Sequence, residues 1–199
     1  EKNIDTGAGI ERIASVIQEK KTNFETDLFM PIIQGIEKVL DIKKEDFDET
    51  VKIIADHIRA SVFLICDGVL PSNEGRGYIL RKIIRRAFGA GSAAKGKVFE
   101  KEDIFLHKLV SYVVETMKEG YPELVEKSEY IEKVIKIEEE RFSNTLKNGT
   151  ELLESEIIKL KEENKKELSS DISFKLYDTF GFPFELTKLI VETQGMEVS

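Results

Sequence analysis

The sequence predicts a mainly α-helical protein. Apolar residues recur at spacings of three and four along most of the 199 residues, alternating extended stretches are scarce, and only four prolines interrupt the chain. The composition, 41% hydrophobic and 34% charged, supports a packed core and excludes a disordered or collagen-like chain. A single cysteine excludes a disulfide scaffold, and no uncharged apolar run reaches the roughly 18 residues of a membrane span. We therefore expect a cytoplasmic protein with no membrane segment.

The first predicted helix follows a glycine-rich turn. Residues 5–12 read DTGAGIER, and apolar residues continue at helical spacing to Ile17, with an extended entry before Asp5 as the one strand candidate. The glycines would let a flat ligand or a phosphate approach the backbone, although a plain strand-to-helix turn is the simpler explanation. Because the chain opens on Glu1 rather than on an initiator Met, we expect it to be cut from a longer protein.

Three further helices are predicted at 26–40, 51–66 and 104–117 from their apolar spacing. The second of these is apolar almost all round and should lie in the interior, with Cys66 as an inert core thiol. His57 stands beside Asp56, and we expect a buried, hydrogen-bonded histidine rather than a catalytic one. With one cysteine and two distant histidines, the sequence predicts no metal site.

The segment 127–168 is dense in Glu and Lys and carries a thin apolar stripe. Such a stripe suits either a helical hairpin or one long helix. The most probable position for a break is Gly149, within Asn148-Gly149-Thr150. We expect this segment to be a largely solvated helical arm.

The charge of the chain is unevenly distributed. The formal net charge is −8, yet residues 75–99 contain seven basic residues and no Asp or Glu, which leaves 23 basic against 38 acidic residues elsewhere. An acidic protein with one purely basic segment suggests a local site for an anion.

A helix through this segment would place four cations opposite an apolar side that includes Leu80 and Ile84. The cations are Arg81, Lys82, Arg85 and Arg86. This face could follow phosphates, could be solvated, or could pair with the acidic segment 127–168. Ser72 or Asn73 can cap the helix, and Asn73 could instead read a base edge.

A run of small residues follows the basic helix. The spacing from Gly91 to Lys97 matches a phosphate-binding loop, but Val98 replaces the required Ser or Thr and the run follows a helix rather than a strand. A dinucleotide-binding turn starting at Gly89 fails on the same context. We expect a flexible loop here.

The C-terminal stretch 174–187 is rich in aromatic residues. Pro183 suits the first turn of a closing helix that runs to about Thr193, with Gly195 just beyond its end. Asp178 could be a helix-breaking cap or a carboxylate held for recognition.

Three ordered segments resemble class II aminoacyl-tRNA synthetases, in the form found in alanyl-tRNA synthetases. The segment 5–12 resembles motif 3 of that class. ADHIR at 55–59, followed by DGVLPSNEGRGY at 67–78 and the basic helix, resembles the family signature, and LYDTFGFP at 176–183 resembles its third marker. Motifs 1 and 2, with the arginine that grips the α-phosphate, are missing from the sequence, and the segment 120–170 is similar only in being helical.

The resemblance implies a parent enzyme that activates alanine with ATP and Mg²⁺ and then transfers it to tRNA(Ala). By position, Arg12 matches the motif 3 arginine that holds the terminal phosphates of ATP, and Asp5 matches the acid beside the substrate amino group. The resemblance therefore implies that both are catalytic residues and that Gly7 and Gly9 line the adenylate pocket. With motifs 1 and 2 missing, we expect this chain to be inactive by itself and to need no cofactor.

The family reads a G·U pair in the tRNA acceptor stem, which would assign Asn73 and Asp178 to the unpaired guanine amine and Arg76, Arg81 and Arg85 to flanking phosphates or sugars. The expected fold is a multi-helix tRNA-recognition domain with a strand-turn-helix remnant of the class II catalytic α/β domain. The division would be 1–22 for the end of the catalytic domain, 23–125 for a helical recognition subdomain, and 126–199 for the arm and the rest of the recognition domain.

Two other functions remain open from the sequence. One is a stand-alone RNA-binding or adaptor module without catalysis. The other is an interaction protein whose basic helix docks on an acidic partner while the segment 127–168 mediates association.

Overall fold

The computed structural model describes residues 7–42 and 49–198, without the side chain of Glu185, and the described chain is mainly α-helical, as predicted. Eight α-helices lie in these residues: α1 Ile10–Ile17, α2 Met30–Leu40, α3 Glu49–Cys66, α4 Gly75–Lys95, α5 Val110–Met117, α6 Glu123–Glu162, α7 Ser170–Phe180 and α8 Phe184–Thr193. Short 3₁₀ helices are found at Asn23–Glu25, Lys101–Asp103 and Leu106–Leu109. The predicted strand before Asp5 lies outside the described residues.

A small parallel sheet closes the C-terminal end of the molecule. It consists of β1, Glu167–Leu168, and β2, Glu197–Val198, with Leu168 paired to Val198. Sequence reasoning did not predict these strands, because two residues are too few to show alternation.

The core lies between α3 and α4 and extends under α2, α5 and α6. The predicted interior helix is confirmed: α3 buries residues on several sides, Cys66 among them. Burial raises the pKa of the Cys66 thiol, as expected of an inert core cysteine.

The segment predicted as a solvated arm is instead a core helix. α6 runs for 40 residues without a break at Gly149. Gly149 is buried, and a Cβ at this position would lie 2.5 Å from Cδ2 of Phe182. Glycine is therefore present because α6 lies close to the segment between α7 and α8, and not because of a turn. The buried residues of α6 are Leu124, Ile131, Ile135, Glu138, Glu139, Phe142, Ser143, Leu146, Gly149, Leu153 and Ile157.

The prediction of a flexible loop after the basic helix is also wrong. α4 continues to Lys95, and its small residues face other parts of the core. A Cβ at Gly89 would lie 2.8 Å from Cγ of Pro183, and one at Gly91 would lie 2.5 Å from the Phe105 ring. The small residues thus let α4 pack closely against the chain around it.

The remaining helices follow the predictions with shifted ends. The helix predicted from residue 26 begins at Met30, after a 3₁₀ turn, and the one predicted from residue 104 is a 3₁₀ helix followed by α5. The second shift has a local cause, because the buried carboxylate of Glu139 accepts backbone N–H groups of Phe105 and Leu106, both at 2.8 Å, and of His107 at 3.0 Å. The closing helix α8 is confirmed, with Pro183 at its N-cap.

α1 lies at the surface with no buried residue. Its apolar side chains Ile10, Val16 and Ile17 are each about two-thirds or more exposed. Within the part of the chain that the structure describes, no helix combines the length and the apolar character needed to cross a membrane.

Candidate nucleic-acid interface

The basic face of α4 is positioned by burial of the opposite side of the helix. Leu80, Ile84 and Phe88 are at most 1% exposed. The cations that alternate with them are turned away from this core, toward α6 and the chain that leads from α7 into α8. The predicted separation of apolar and basic sides is therefore present.

Two of the arginines converge on one buried carboxylate of α6. Nε of Arg85 donates to Oε1 of Glu138 at 3.0 Å, and Nε of Arg81 lies 3.4 Å from the same oxygen. The Glu138 side chain is 2% exposed, whereas those of Arg81 and Arg85 are 20% and 17% exposed. The Arg85 guanidinium also lies 4.9 Å from the centroid of the Phe142 ring. Of the alternatives for the basic face, pairing with the segment 127–168 is thus observed for these two residues.

The chain before α4 brings Asn73 to the same face. The side-chain oxygen of Asn73 accepts a hydrogen bond from Nη1 of Arg81. The N-cap position of α4 belongs to Glu74, and no side chain caps the helix there. Of the two alternatives for Asn73, a helix cap or a reader of a base edge, the structure does not show the cap. Asn73 is exposed, with its amide held by an arginine of the basic face.

Asp178 lies within α7 and is exposed. The helix continues past it to Phe180 and ends at Gly181, which has a left-handed φ of 61°. Asp178 is therefore not a helix-breaking cap. The turn at Gly181 also makes room for Arg85, because a Cβ at Gly181 would lie 2.7 Å from Nη1 of that arginine.

These elements enclose a cleft of about 570 Å³ between α4 and the segment from α7 to the start of α8. It brings together Asn73, Arg81, Arg85 and Asp178 of the predicted site. Arg76 is exposed in the first turn of α4 and does not line this cleft. The full lining is His57, Asn73, Tyr78, Arg81, Lys82, Ile83, Arg85, Arg86, Tyr177, Asp178, Thr179, Gly181, Pro183 and Phe184.

Sequence reasoning did not assign Glu138, Tyr78 or Tyr177 to this site. Glu138 carried a usable signal, since it falls on the apolar stripe of α6 between Ile135 and Phe142, where a charged residue needs a buried partner. Tyr78 lies one helical turn before Lys82, a spacing that brings two side chains together. Tyr177 carried no comparable signal, because its contact depends on the packing of α7.

His57 contributes to the wall of the cleft and is hydrogen-bonded, as predicted, but it is half-buried rather than fully buried. Its Nδ1 lies 3.1 Å from Oδ2 of Asp56, and its side chain is 13% exposed. The hydrogen bond to His57 lowers the pKa of the Asp56 carboxyl, against the opposing effect of partial burial.

Of the residues assigned to ATP and alanine, the three that the structure describes, Gly7, Gly9 and Arg12, do not line this cleft. Arg12 is exposed on α1, and Gly9 is the N-cap residue of that helix. Gly7 is also exposed, with no atom within 4 Å of the place where a Cβ would stand. Asp5 lies outside the described residues.

Comparison with known proteins places the chain in a family. All of residues 1–199 match the family model for tRNA synthetases class II (A), and the chain belongs to that family.

Within it, the relatives found by comparison are named alanine–tRNA ligase. The protein of Ligilactobacillus salivarius is 51% identical over 201 residues, that of Fusobacterium nucleatum subsp. nucleatum 50% over 200, and that of Enterococcus faecalis 49% over 201. Each comparison covers 99% of this chain and 22% of the relative, so the chain spans about a fifth of the length of these relatives. The resemblance to alanyl-tRNA synthetases is confirmed.

Proposed function

We propose that this chain is the tRNA-recognition portion of an alanine–tRNA ligase and that the cleft between α4 and α7 reads a G·U pair in the acceptor stem of tRNA(Ala). The observation that carries this proposal is the juxtaposition of Asn73 and Asp178 on one basic cleft, although they are 105 positions apart in the sequence. The parent enzyme would activate alanine with ATP and transfer it to the tRNA.

The two proposed readers have complementary chemistry. An A-form duplex presents base edges and 2′-hydroxyls in its shallow minor groove, and a G·U wobble leaves the guanine amine there without a pairing partner. The Asp178 carboxylate can accept from that amine, while the Asn73 amide can both accept and donate. Because the Asn73 oxygen already accepts from Arg81, its NH₂ group is oriented away from that arginine. Arg76, Arg81 and Arg85 would supply phosphate or sugar contacts nearby.

The proposed active-site residues lie near the start of the sequence, at positions 5–12. Arg12 would bind the terminal phosphates of ATP, and Gly7 and Gly9 would let the adenylate approach the backbone. Asp5 would accept a hydrogen bond from the amino group of alanine. Among the described residues, no group of three or more His, Cys, Asp or Glu could hold a metal ion, so a Mg²⁺ site is not assigned to them. We propose that this chain does not aminoacylate by itself.

The reading roles are tested by binding two RNA duplexes that differ only in a G·U or a G·C pair. Asn73→Ala and Asp178→Ala should each lower the preference for G·U, by about tenfold for a lost base contact, with little effect on binding of the G·C duplex. Asp171→Ala, at an exposed position on the same helix as Asp178, is the matched control. Equal loss of affinity for both duplexes would contradict the proposed roles.

A further inference from the structure

Lys82 lies on the wall of the cleft between two tyrosine rings. Its Nζ is 4.9 Å from the ring centroid of Tyr78, one turn earlier on α4, and 4.6 Å from that of Tyr177 on α7. The rings are 37% and 42% exposed, so they form part of the surface that a ligand would meet. A lysine side chain is normally mobile, and contacts from both walls of the cleft fix the position of this one.

Lys82 differs from Arg81 and Arg85 in the kind of group that its charged end contacts. Arg81 and Arg85 share the carboxylate of Glu138. Among the side chains that the structure describes, which do not include that of Glu185, Lys82 makes no ion pair with a carboxylate, and its partners are the two tyrosines. Its ammonium therefore retains a positive charge that a ligand can satisfy.

Lys82 also remains protonated over a wide pH range. Hydrogen bonding to Tyr177, and then to Tyr78, raises the pKa of its ammonium, and these contacts outweigh the opposing effect of burial. An ammonium is a compact point charge that binds a phosphate without the planar geometry that a guanidinium demands. Because the rings already hold it in place, binding costs less side-chain entropy than it would for a free lysine.

We infer that Lys82, held by Tyr78 and Tyr177, is the main phosphate contact of the cleft and that its ligand is the sugar–phosphate backbone of an RNA duplex. The inference rests on the proposed function and changes the roles of the basic residues within it. Arg81 and Arg85 act chiefly as internal supports, since Arg81 holds Asn73 and both arginines tie α4 to α6. Tyr78 and Tyr177 are positioning residues for the ammonium.

The test uses the 199-residue chain and the G·U and G·C duplexes in a salt series. Lys82→Gln should weaken binding of both duplexes about tenfold, as for loss of a charged hydrogen bond, and should leave the preference for G·U unchanged. The slope of log K against log salt should fall by about 1, because one phosphate contact is lost. Lys95→Gln removes the same charge from the far end of α4, outside the cleft, and should leave both affinity and slope close to those of the unchanged chain.

The positioning role of the tyrosines has its own readout. Tyr177→Leu should weaken binding of both duplexes while keeping the salt slope, because the charge remains but is no longer held, and Tyr177→Phe should recover most of the affinity by restoring the ring. If Lys82→Gln keeps the affinity and salt slope of the unchanged chain while both duplexes still bind, the inference is wrong and the proposed function stands. If the unchanged chain binds an acidic polypeptide such as polyglutamate but neither duplex, both are wrong.

Discussion

Glu138 is the residue on which the basic face depends. Its Oε1 forms ion pairs with both Arg81 and Arg85. The buried carboxylate thus holds the two arginines at the cleft. Removing either partner of a buried ion pair leaves a charge without compensation, which costs more than the pair contributes. A substitution of Arg85 would therefore alter packing as well as RNA binding, and it is a less direct probe of phosphate contact than Lys82.

Gly181 provides a direct test of how Arg85 is accommodated. Gly181→Ala should destabilise the protein by about 2 kcal/mol or more, because a Cβ there meets both an unfavourable left-handed backbone and the Arg85 guanidinium. Gly96→Ala is the matched control, since Gly96 also ends a helix at positive φ but has no atom within 4 Å of a Cβ, and it should cost about 1 kcal/mol. Urea unfolding measures both. Equal losses would show that Arg85 is not confined by position 181.

At the residue scale, the sequence could indicate which side chains matter but not which of them touch. The separation of Leu80 and Ile84 from the arginines follows from helical spacing and was predictable. The contact between Asn73 and Arg81 was not, since Asn73 precedes α4 while Arg81 lies eight residues later, within the helix. The sequence therefore allowed Asn73 to be a helix cap, whereas in the structure the Arg81 side chain holds its amide.

At the scale of elements, two predictions were wrong for the same reason: the break at Gly149 and the flexible loop after the basic helix. Glycine lowers helix propensity by about 1 kcal/mol relative to alanine, so Gly149 suggested a break and the small residues from Gly89 to Ala94 suggested a loop. Tertiary packing outweighs this cost, because Gly89 and Gly149 sit directly against Pro183 and Phe182. A single sequence does not show that a glycine faces another element. Helix propensity alone then predicts a break or a loop where the helix in fact continues.

The helix α1 is connected to the rest of the described chain by an ion pair. Nη2 of Arg59 on α3 donates to Oε1 of Glu11 at 2.7 Å, and Arg59 also lies over the Phe29 ring at 4.0 Å. The backbone hydrogen bond that Glu11 accepts lowers its pKa, and Arg59 lowers it further, against partial burial. The pair is partly exposed, so its contribution to stability should not exceed about 1 kcal/mol.

This ion pair predicts a defined pH dependence. Because the pKa of Glu11 is lower in the folded chain, its stabilising effect is complete above the unfolded-state pKa of about 4.3 and is lost as the pH falls through the lower folded value. The difference in unfolding free energy between the unchanged chain and Glu11→Gln should therefore be present at pH 7 and should shrink below about pH 4. Urea unfolding at several pH values measures it, with the exposed Glu119→Gln as control. A difference that grows on acidification would contradict this account.

For the whole molecule, the class and the family were accessible from sequence. Helical periodicity predicted a mainly α-helical chain, and three ordered motifs indicated the family to which the chain belongs. The division at residues 22 and 125 stays a prediction. The geometry of the cleft was not accessible, because it depends on where α7 and α8 lie beside α4, and residues 96–169 separate α4 from α7 in the sequence.

The charge distribution of the whole molecule now has a structural explanation. The chain is acidic overall, yet the lining of the cleft contains three arginines and a lysine, with Asp178 as its single acidic side chain among the described residues. On the proposed function, the cations of the cleft would attract phosphate at this site, and the acidic surface elsewhere would repel RNA and limit the ways in which it can dock. A duplex bound here would meet Asn73 and Asp178 at the same time as the cations.

The most direct test of the central claim is the ratio of affinities of the unchanged 199-residue chain for the G·U and G·C duplexes, measured at a single physiological salt concentration. A cleft that both attracts the backbone and reads the wobble pair should favour the G·U duplex by about tenfold or more, as expected for discrimination at one base pair. Binding of both duplexes with equal affinity would contradict the account, since it would reduce the cleft to an unspecific phosphate site.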